Sequence, residues 1–202
     1  MYQPAHFVER DPTVLAELIR AAPLATLIRG GAELSADAIP LELDGDRLLG
    51  HVTRANPLWR EADGQPVLAV FHGVQAYITP SWYASKAADG RVVPTWNYAM
   101  VQAHGTLRAI EDAAWLEAFV TRLTDRHEAP LPAPWKVGDA PGDYVQKLLK
   151  AIVGIEIAVT RIEGKFKLSQ NRLPEDRAGV VRGLGEHAMA AAVRAADDRR
   201  ER

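Results

Sequence analysis

Apolar positions along the chain change period several times, and each change marks an element. Leu15, Leu18, Ile19 and Ala22 repeat at helical spacing behind Asp11-Pro12, an N-cap followed by proline in the first turn; Pro23 ends that helix. Leu24–Arg29 reads as a strand closed by a Gly30-Gly31 turn, and a second strand covers about Ser35–Leu43. Asp44-Gly45-Asp46 is a hairpin turn leading into Arg47–Arg54. Ala55-Asn56-Pro57 starts a short helix. Val67–Phe71 is a continuous apolar run of the kind found in central strands, and Gln75–Thr79 continues the sheet. An irregular loop, Pro80–Val93, precedes a long extended segment, Thr95–Ile110, with Trp96, Tyr98 and Met100 on one face.

Leu116, Phe119, Val120 and Leu123 define the clearest helix, Trp115–His127. A proline-rich connector (130–141), a helix over 144–152 and a strand over 154–163 follow. Pro174–Leu184 and His187–Arg199 predict two terminal helices. Closely spaced strands interrupted by few helices argue for an antiparallel barrel rather than alternating βαβ units. The predicted fold is mainly β with peripheral helices (α+β). Residues 1–172 are expected to form one domain, with 173–202 as a helical appendage.

Composition narrows the function classes. The 202 residues are 48% apolar, ample for a core, and the net charge of −2 gives no bulk attraction to nucleic acid. There is no cysteine, which excludes disulfides, thiolate metal sites and a cysteine nucleophile. No segment reaches the roughly 18 unbroken apolar residues of a membrane helix, and the N-terminus does not read as a signal peptide. A soluble cytoplasmic protein without membrane contact is expected. The six histidines show no metal-ligand spacing, so no metal is expected.

Three clusters carry candidate chemistry. In His51-Val-Thr-Arg-Ala-Asn-Pro57, a strand ends at Thr53-Arg54 and a helix starts at Asn56-Pro57. One reading is a phosphate cradle of helix N–H groups beside the Arg54 fork; the other is a capped helix with a surface arginine. Pro94-Thr-Trp-Asn-Tyr98 either packs aromatic faces on a flat heterocycle or buries Trp96 and Tyr98 in the core, and burial is the preferred reading. Lys165–Arg172 interleaves cations with Ser169, Gln170 and Asn171, and suits a ligand with an anion and hydrogen-bonding ring edges. The last two helices superficially suit a helix-turn-helix. The second begins with small apolar residues, however, and the tail arginines 194, 199, 200 and 202 are offset by acids 197, 198 and 201. Direct DNA binding is therefore doubtful.

Five segments together resemble the PaiB-like family of FMN-binding split-barrel proteins, often labelled negative transcriptional regulators. They are Met1-Tyr-Gln-Pro-Ala-His-Phe7, His51–Pro57, Ala76–Tyr83, Val93–Tyr98 and Glu163–Arg172. The resemblance implies an antiparallel split β-barrel like that of pyridoxamine-phosphate oxidases, and a homodimer with FMN at the subunit interface. Carried over by position, Arg54 and Asn56 are phosphate-side candidates, with Thr53 in the same segment. Ile39 and His51 lie beside the ring. Thr95 and Asn97, or Ser169 and Gln170, are the candidates for the partner subunit's contribution, and Lys167 is a further cofactor-binding candidate. The chain departs from the family pattern at Ala38, where a histidine is usual, and at Val74-Gln75, where Gly-Pro is usual. The expected function is an FMN-binding homodimer acting, indirectly, as a negative transcriptional regulator. A flavin-dependent oxidoreductase is the alternative, and haem binding a third.

Overall fold

Asp11 Oδ1 accepts from Thr13 N at 2.8 Å and Pro12 takes the first helical position, so helix α1 (Pro12–Ala21) starts as its sequence directs. It buries Leu15, Leu18 and Ile19. A two-residue strand, β1 (Val8–Glu9), precedes it, too short to leave a periodic signal. The computed structural model describes residues 1–31 and 33–200. Glu201 and Arg202, part of the tail's charge balance, lie outside the described residues.

The remaining strands are β2 (Leu24–Arg29), β3 (Ser35–Pro40), β4 (Glu42–Asp44), β5 (Arg47–Thr53), β6 (Pro66–Ile78), β7 (Thr95–Ile110) and β8 (Ile152–Lys167). The helices are α2 (Leu58–Glu61), α3 (Lys86–Asp89), α4 (Ala113–Glu128), α5 (Gly142–Leu149), α6 (Pro174–Leu184) and α7 (Ala188–Arg200). The strands hydrogen-bond in the order β3-β2-β6-β7-β8-β5-β4, with β1 on β8. The pairs β1–β8, β2–β3, β4–β5 and β5–β8 are antiparallel. The fold is thus mainly antiparallel β with peripheral helices, as the pattern of strands predicts.

The chain forms two compact units. One holds Met1–Ala22, Val70–Gln102 and the chain from Ile162; the other holds Pro23–Ala69 and Ala103–Arg161. Strands β6, β7 and β8 contribute residues to both.

In the second unit, β2 and β3 pair from Leu24↔Pro40 to Arg29↔Ser35. The predicted strand Ser35–Leu43 is interrupted because Leu41 turns inward: its N–H goes to Pro23 O at 2.8 Å and its side chain is buried. Strand β5 pairs with β8 from Arg47↔Ala158 to Thr53↔Ile152. Asp112 caps α4 by accepting from Trp115 N at 2.7 Å, and α4 buries Leu116 and Phe119. Buried Glu42 takes Arg126 at 2.6 Å and Arg122 at 3.4 Å, tying α4 to β4. A buried carboxylate needs such partners to repay its lost hydration.

In the first unit, α6 and α7 bury Val180, Met189, Ala190 and Val193. Asp176, also buried, accepts from Ser85 N and Ser85 Oγ at 2.9 and 2.8 Å, fixing the loop after β6 onto α6. That loop contains the short helix α3, which its irregular sequence did not predict. The Val67–Phe71 and Gln75–Thr79 runs form parts of one strand, β6. Gly73 between them is required by close approach: a Cβ there would stand 2.9 Å from Leu18 Cδ1 and 3.2 Å from Ala99 O.

Strand β7 corrects the preferred reading of Pro94–Tyr98. Its buried face is Asn97, Ala99, Val101 and Ala103, while Trp96 is 54% exposed. Asn97 tolerates burial because its amide has a partner, Ser169 Oγ, at 2.8 Å.

Candidate functional site

On β5 the buried Val52 separates His51 and Thr53, which therefore share the opposite face. His51 lies across from Gly154 on β8. Gly154 has no side chain because the Trp115 ring occupies that space, 2.3 Å from where a Cβ would stand. Trp115 stacks on Phe119 at 5.1 Å, and Phe119 meets His51 edge-on at 6.0 Å. Burial lowers the His51 pKa below its ordinary 6.5, so the imidazole is neutral at pH 7. His51 and Thr53 line a 340 Å³ cavity whose other walls include Val120, Tyr144, Leu148 and Ile152. A largely apolar pocket with a few polar groups is the usual environment for a flat heterocycle.

Arg54 follows directly. Its Nε donates to Lys150 O at 3.0 Å and its Nη2 to Ile152 O at 3.3 Å; its Nη1 pairs with Glu111 at 2.5 Å. The guanidinium also faces the Trp59 ring at 5.6 Å, while the Trp59 indole N–H donates to Arg54 O at 3.1 Å. Two backbone carbonyls and a ring thus fix the fork. Glu111, itself 57% exposed, is its carboxylate partner.

Asn56 is oriented differently. Its Nδ2 donates to Asp37 Oδ1 at 3.1 Å and its Oδ1 accepts from Leu58 N at 2.8 Å, so both ends of the amide are engaged within the chain. Helix α2 is a single turn of four residues. Asn56 thus shapes the turn after Arg54 and caps the N–H of Leu58. Ile39 is a core residue of β3 and pairs with Ala25.

The other candidates lie in the first unit. Lys167 Nζ donates to Thr95 Oγ1 and, at 2.5 Å, to Trp96 O. Burial, then the charges of Lys165 and Arg172, lower its pKa. Ser169 is 3% exposed and has φ +67°, a left-handed conformation uncommon for serine, held by the Asn97 hydrogen bond. Gln170 bridges Leu168 N at 2.7 Å and Phe166 O at 2.6 Å. Lys167 pairs with Thr95, and Asn97 with Ser169; Asn97, Ser169 and Gln170 turn their polar groups to partners inside the chain.

Sequence reasoning missed Glu111, Trp115 and Phe119 as members of the His51–Arg54 surroundings. Glu111 stands 57 positions from Arg54, with no spacing signal to link them. The Gly154–Trp115 fit was equally invisible.

Residues 1–161 match the family model described as "Putative FMN-binding domain", and the chain belongs to this family. It is the PaiB-like family that the five segments resemble, and FMN is the cofactor that defines it. Protease synthase and sporulation protein PAI 2 of Bacillus subtilis is 33% identical over 138 residues, covering 68% of this chain and 64% of that protein. An uncharacterized protein of Emericella nidulans is 33% identical over 226 residues, covering 91% of this chain and 90% of that protein. Among solved structures, the flavocytochrome Anf3 of Azotobacter vinelandii has a TM-score of 0.59 at 16% identity, covering 85% of this chain and 75% of that one. An FAD and heme binding protein of Mycobacterium smegmatis has a TM-score of 0.57 at 20% identity, covering 79% of this chain and 73% of that one. These likenesses establish a common fold.

Proposed function

We propose that this protein is a cytoplasmic homodimer holding FMN in the second unit. The isoalloxazine occupies the cavity beside His51 and Thr53, and the phosphate reaches Arg54. One observation carries this reading: Arg54 is fixed from behind by the carbonyls of Lys150 and Ile152, while its carboxylate partner Glu111 is exposed. An exposed ion pair is weak, so a phosphate dianion can replace Glu111 without rebuilding the site. The residues fit the cofactor. Apolar walls suit the ring system, neutral His51 and Thr53 serve its polar edge, and Asn56 fixes the turn that presents Arg54. Bound there, FMN supplies one- and two-electron redox chemistry; the chain binds, orients and shields it.

Any control of transcription by this protein is indirect. The net charge is −2, and α7 spends Met189, Ala190 and Val193 on packing rather than on base edges. The second reading is a flavin-dependent reductase, favoured by the neutral imidazole of His51 on the cavity wall, which can exchange a proton with a bound ring.

Titration with FMN, followed by flavin fluorescence and visible absorbance, tests the proposal. Saturable binding that weakens in Arg54→Ala is the expected result; binding unaffected by Arg54→Ala in a folded variant overturns the placement. Light scattering coupled to gel filtration tests the dimer. Rapid bleaching of bound FMN by NADPH supports the reductase reading.

A further inference from the structure

Helices α1 and α7 each carry a second stripe beside the one they bury. On α7 the buried side chains are Met189, Ala190, Val193 and Ala196. Ala192, Ala195 and Arg199 recur beside them at i, i+3 and i+7, a spacing that keeps them on one face. On α1 the corresponding stripe is Val14, Leu18 and Ala21. Both stripes line one groove of 490 Å³, together with the buried sheet residues Ala99, Phe166 and Leu168. Val74 adds a branched side chain to the wall, at a position where the chain departs from the family pattern. All of these residues belong to the first unit.

One end of this apolar groove is charged. Among the described residues, Arg199 is the only arginine or lysine that lines it. Its Nε stands 3.8 Å from Glu9 Oε2, beyond hydrogen-bond reach. Glu9 is anchored elsewhere: its Oε1 accepts from the N–H groups of Arg10 and Asp11 at 2.8 and 3.0 Å. The guanidinium is therefore attracted to a carboxylate that backbone donors already hold, and its fork is open to a closer acceptor. Glu17, the acid in the same lining, is exposed, so solvent screens its charge. Glu9 lies just before α1, which puts Arg199 at the α1 start. From there α7 runs back about 10 Å to Ala192. Apart from His72, the lining has one ring, Phe166, which is itself buried. Aliphatic walls along a trough suit a chain better than a stacked heterocycle.

We propose that this groove binds a medium-chain aliphatic carboxylate. The carboxylate meets the Arg199 fork, and the chain lies between α1 and α7 over Phe166 and Leu168, running toward Ala192. The groove's volume falls within the roughly 300–1,000 Å³ of small-molecule pockets, and its mainly apolar lining with one cation is the usual composition of such a site. The site lies wholly within the first unit, and the inference does not rest on flavin binding beside Arg54.

The test uses the full chain, with and without saturating FMN, titrated by calorimetry with hexanoate, octanoate and decanoate. Saturable one-to-one binding is expected, tightening about fourfold for each added methylene. Arg199→Gln should weaken octanoate about tenfold and leave the weaker binding of 1-octanol unchanged. Ala195→Trp, at an exposed position of α7, should fill the groove and abolish binding of both, with the fold checked by circular dichroism. Affinity independent of chain length, 1-octanol binding as tightly as octanoate, or octanoate binding unaltered in both folded variants overturns the site. Capture by phosphatidylglycerol vesicles without binding of dissolved octanoate or decanoate also overturns it, assigning the face to a membrane surface. If no carboxylate binds while Arg54→Ala still weakens FMN, this inference falls and the flavin placement stands.

Discussion

Arg54 and Lys167 are both cations held in place by backbone oxygen, yet only Arg54 faces a carboxylate. Arg54 has Lys150 O and Ile152 O behind it and Glu111 in front. Lys167 has Thr95 Oγ1 and Trp96 O, and like charges around it. The difference teaches what each can gain from an anion. At Arg54 an incoming phosphate must first displace an acid, so its net gain is reduced by a weak surface pair. At Lys167 it relieves repulsion that the folded chain already bears. Pre-orientation is common to both; compensation is not.

The comparison can be broken or sharpened experimentally. Gly154→Ala should have the largest effect, because a Cβ would strike the Trp115 ring at 2.3 Å and Trp115 is stacked on Phe119. We expect about 2–3 kcal/mol of lost stability in urea denaturation, within the usual range for overpacking, together with weakened FMN binding as His51 loses its backing. An unchanged urea midpoint would show that the ring has room to move.

Arg54→Ala should cost about 1–3 kcal/mol of FMN affinity, the scale of a charge-assisted hydrogen bond, measured by flavin fluorescence. His51 supplies a pH dependence. Its folded pKa lies below the ordinary 6.5, so the unfolded chain takes up the proton first. Its contribution is level above pH 6.5 and turns destabilising as pH falls below that value toward the folded pKa. The urea midpoint of wild type should therefore drop more between pH 7.5 and 5.5 than that of His51→Gln, and parallel profiles would contradict the burial argument.

Glu111→Gln should tighten FMN binding by less than about 1 kcal/mol, the reverse of an ordinary loss-of-contact variant. Weaker binding would mean that Glu111 helps to position Arg54 rather than competing for it. Trp96→Ala, whose ring is half exposed, should change stability by no more than about 0.5 kcal/mol. A several-kilocalorie loss would return Trp96 to the core.

Elements whose signals are local were legible in the sequence. Strands Leu24–Arg29 and Thr95–Ile110 and helix Pro174–Leu184 fall where alternation, turn residues and Pro174 place them. Errors arose where a long-range contact overrides the local pattern. Leu41 interrupts a strand because Pro23 takes its N–H, and Gly73 reads as a break although it provides clearance for Leu18 and Ala99. On β7 the period was correct and the phase inverted: large aromatics suggest burial, but the inward positions at the start of the strand are Asn97, Ala99, Val101 and Ala103, with Asn97 satisfied by Ser169. Within the candidate site, His51, Thr53 and Arg54 could be named from one motif. Glu111, Trp115 and Phe119 reach them only through folding, and Asn56 proved to be turned toward Asp37.

The seat of Trp82 has a practical consequence. Cβ atoms at Gly179 and Gly183 would lie 2.0 Å from Trp82 O and 2.3 Å from its indole Cδ2, so α6 rests directly on this residue through a notch of two glycines. In a variant retaining Trp82 as its sole tryptophan, the indole becomes a gauge of whether α6 is seated. A red shift that precedes the loss of strand signal on heating would identify α6 as the first element to leave.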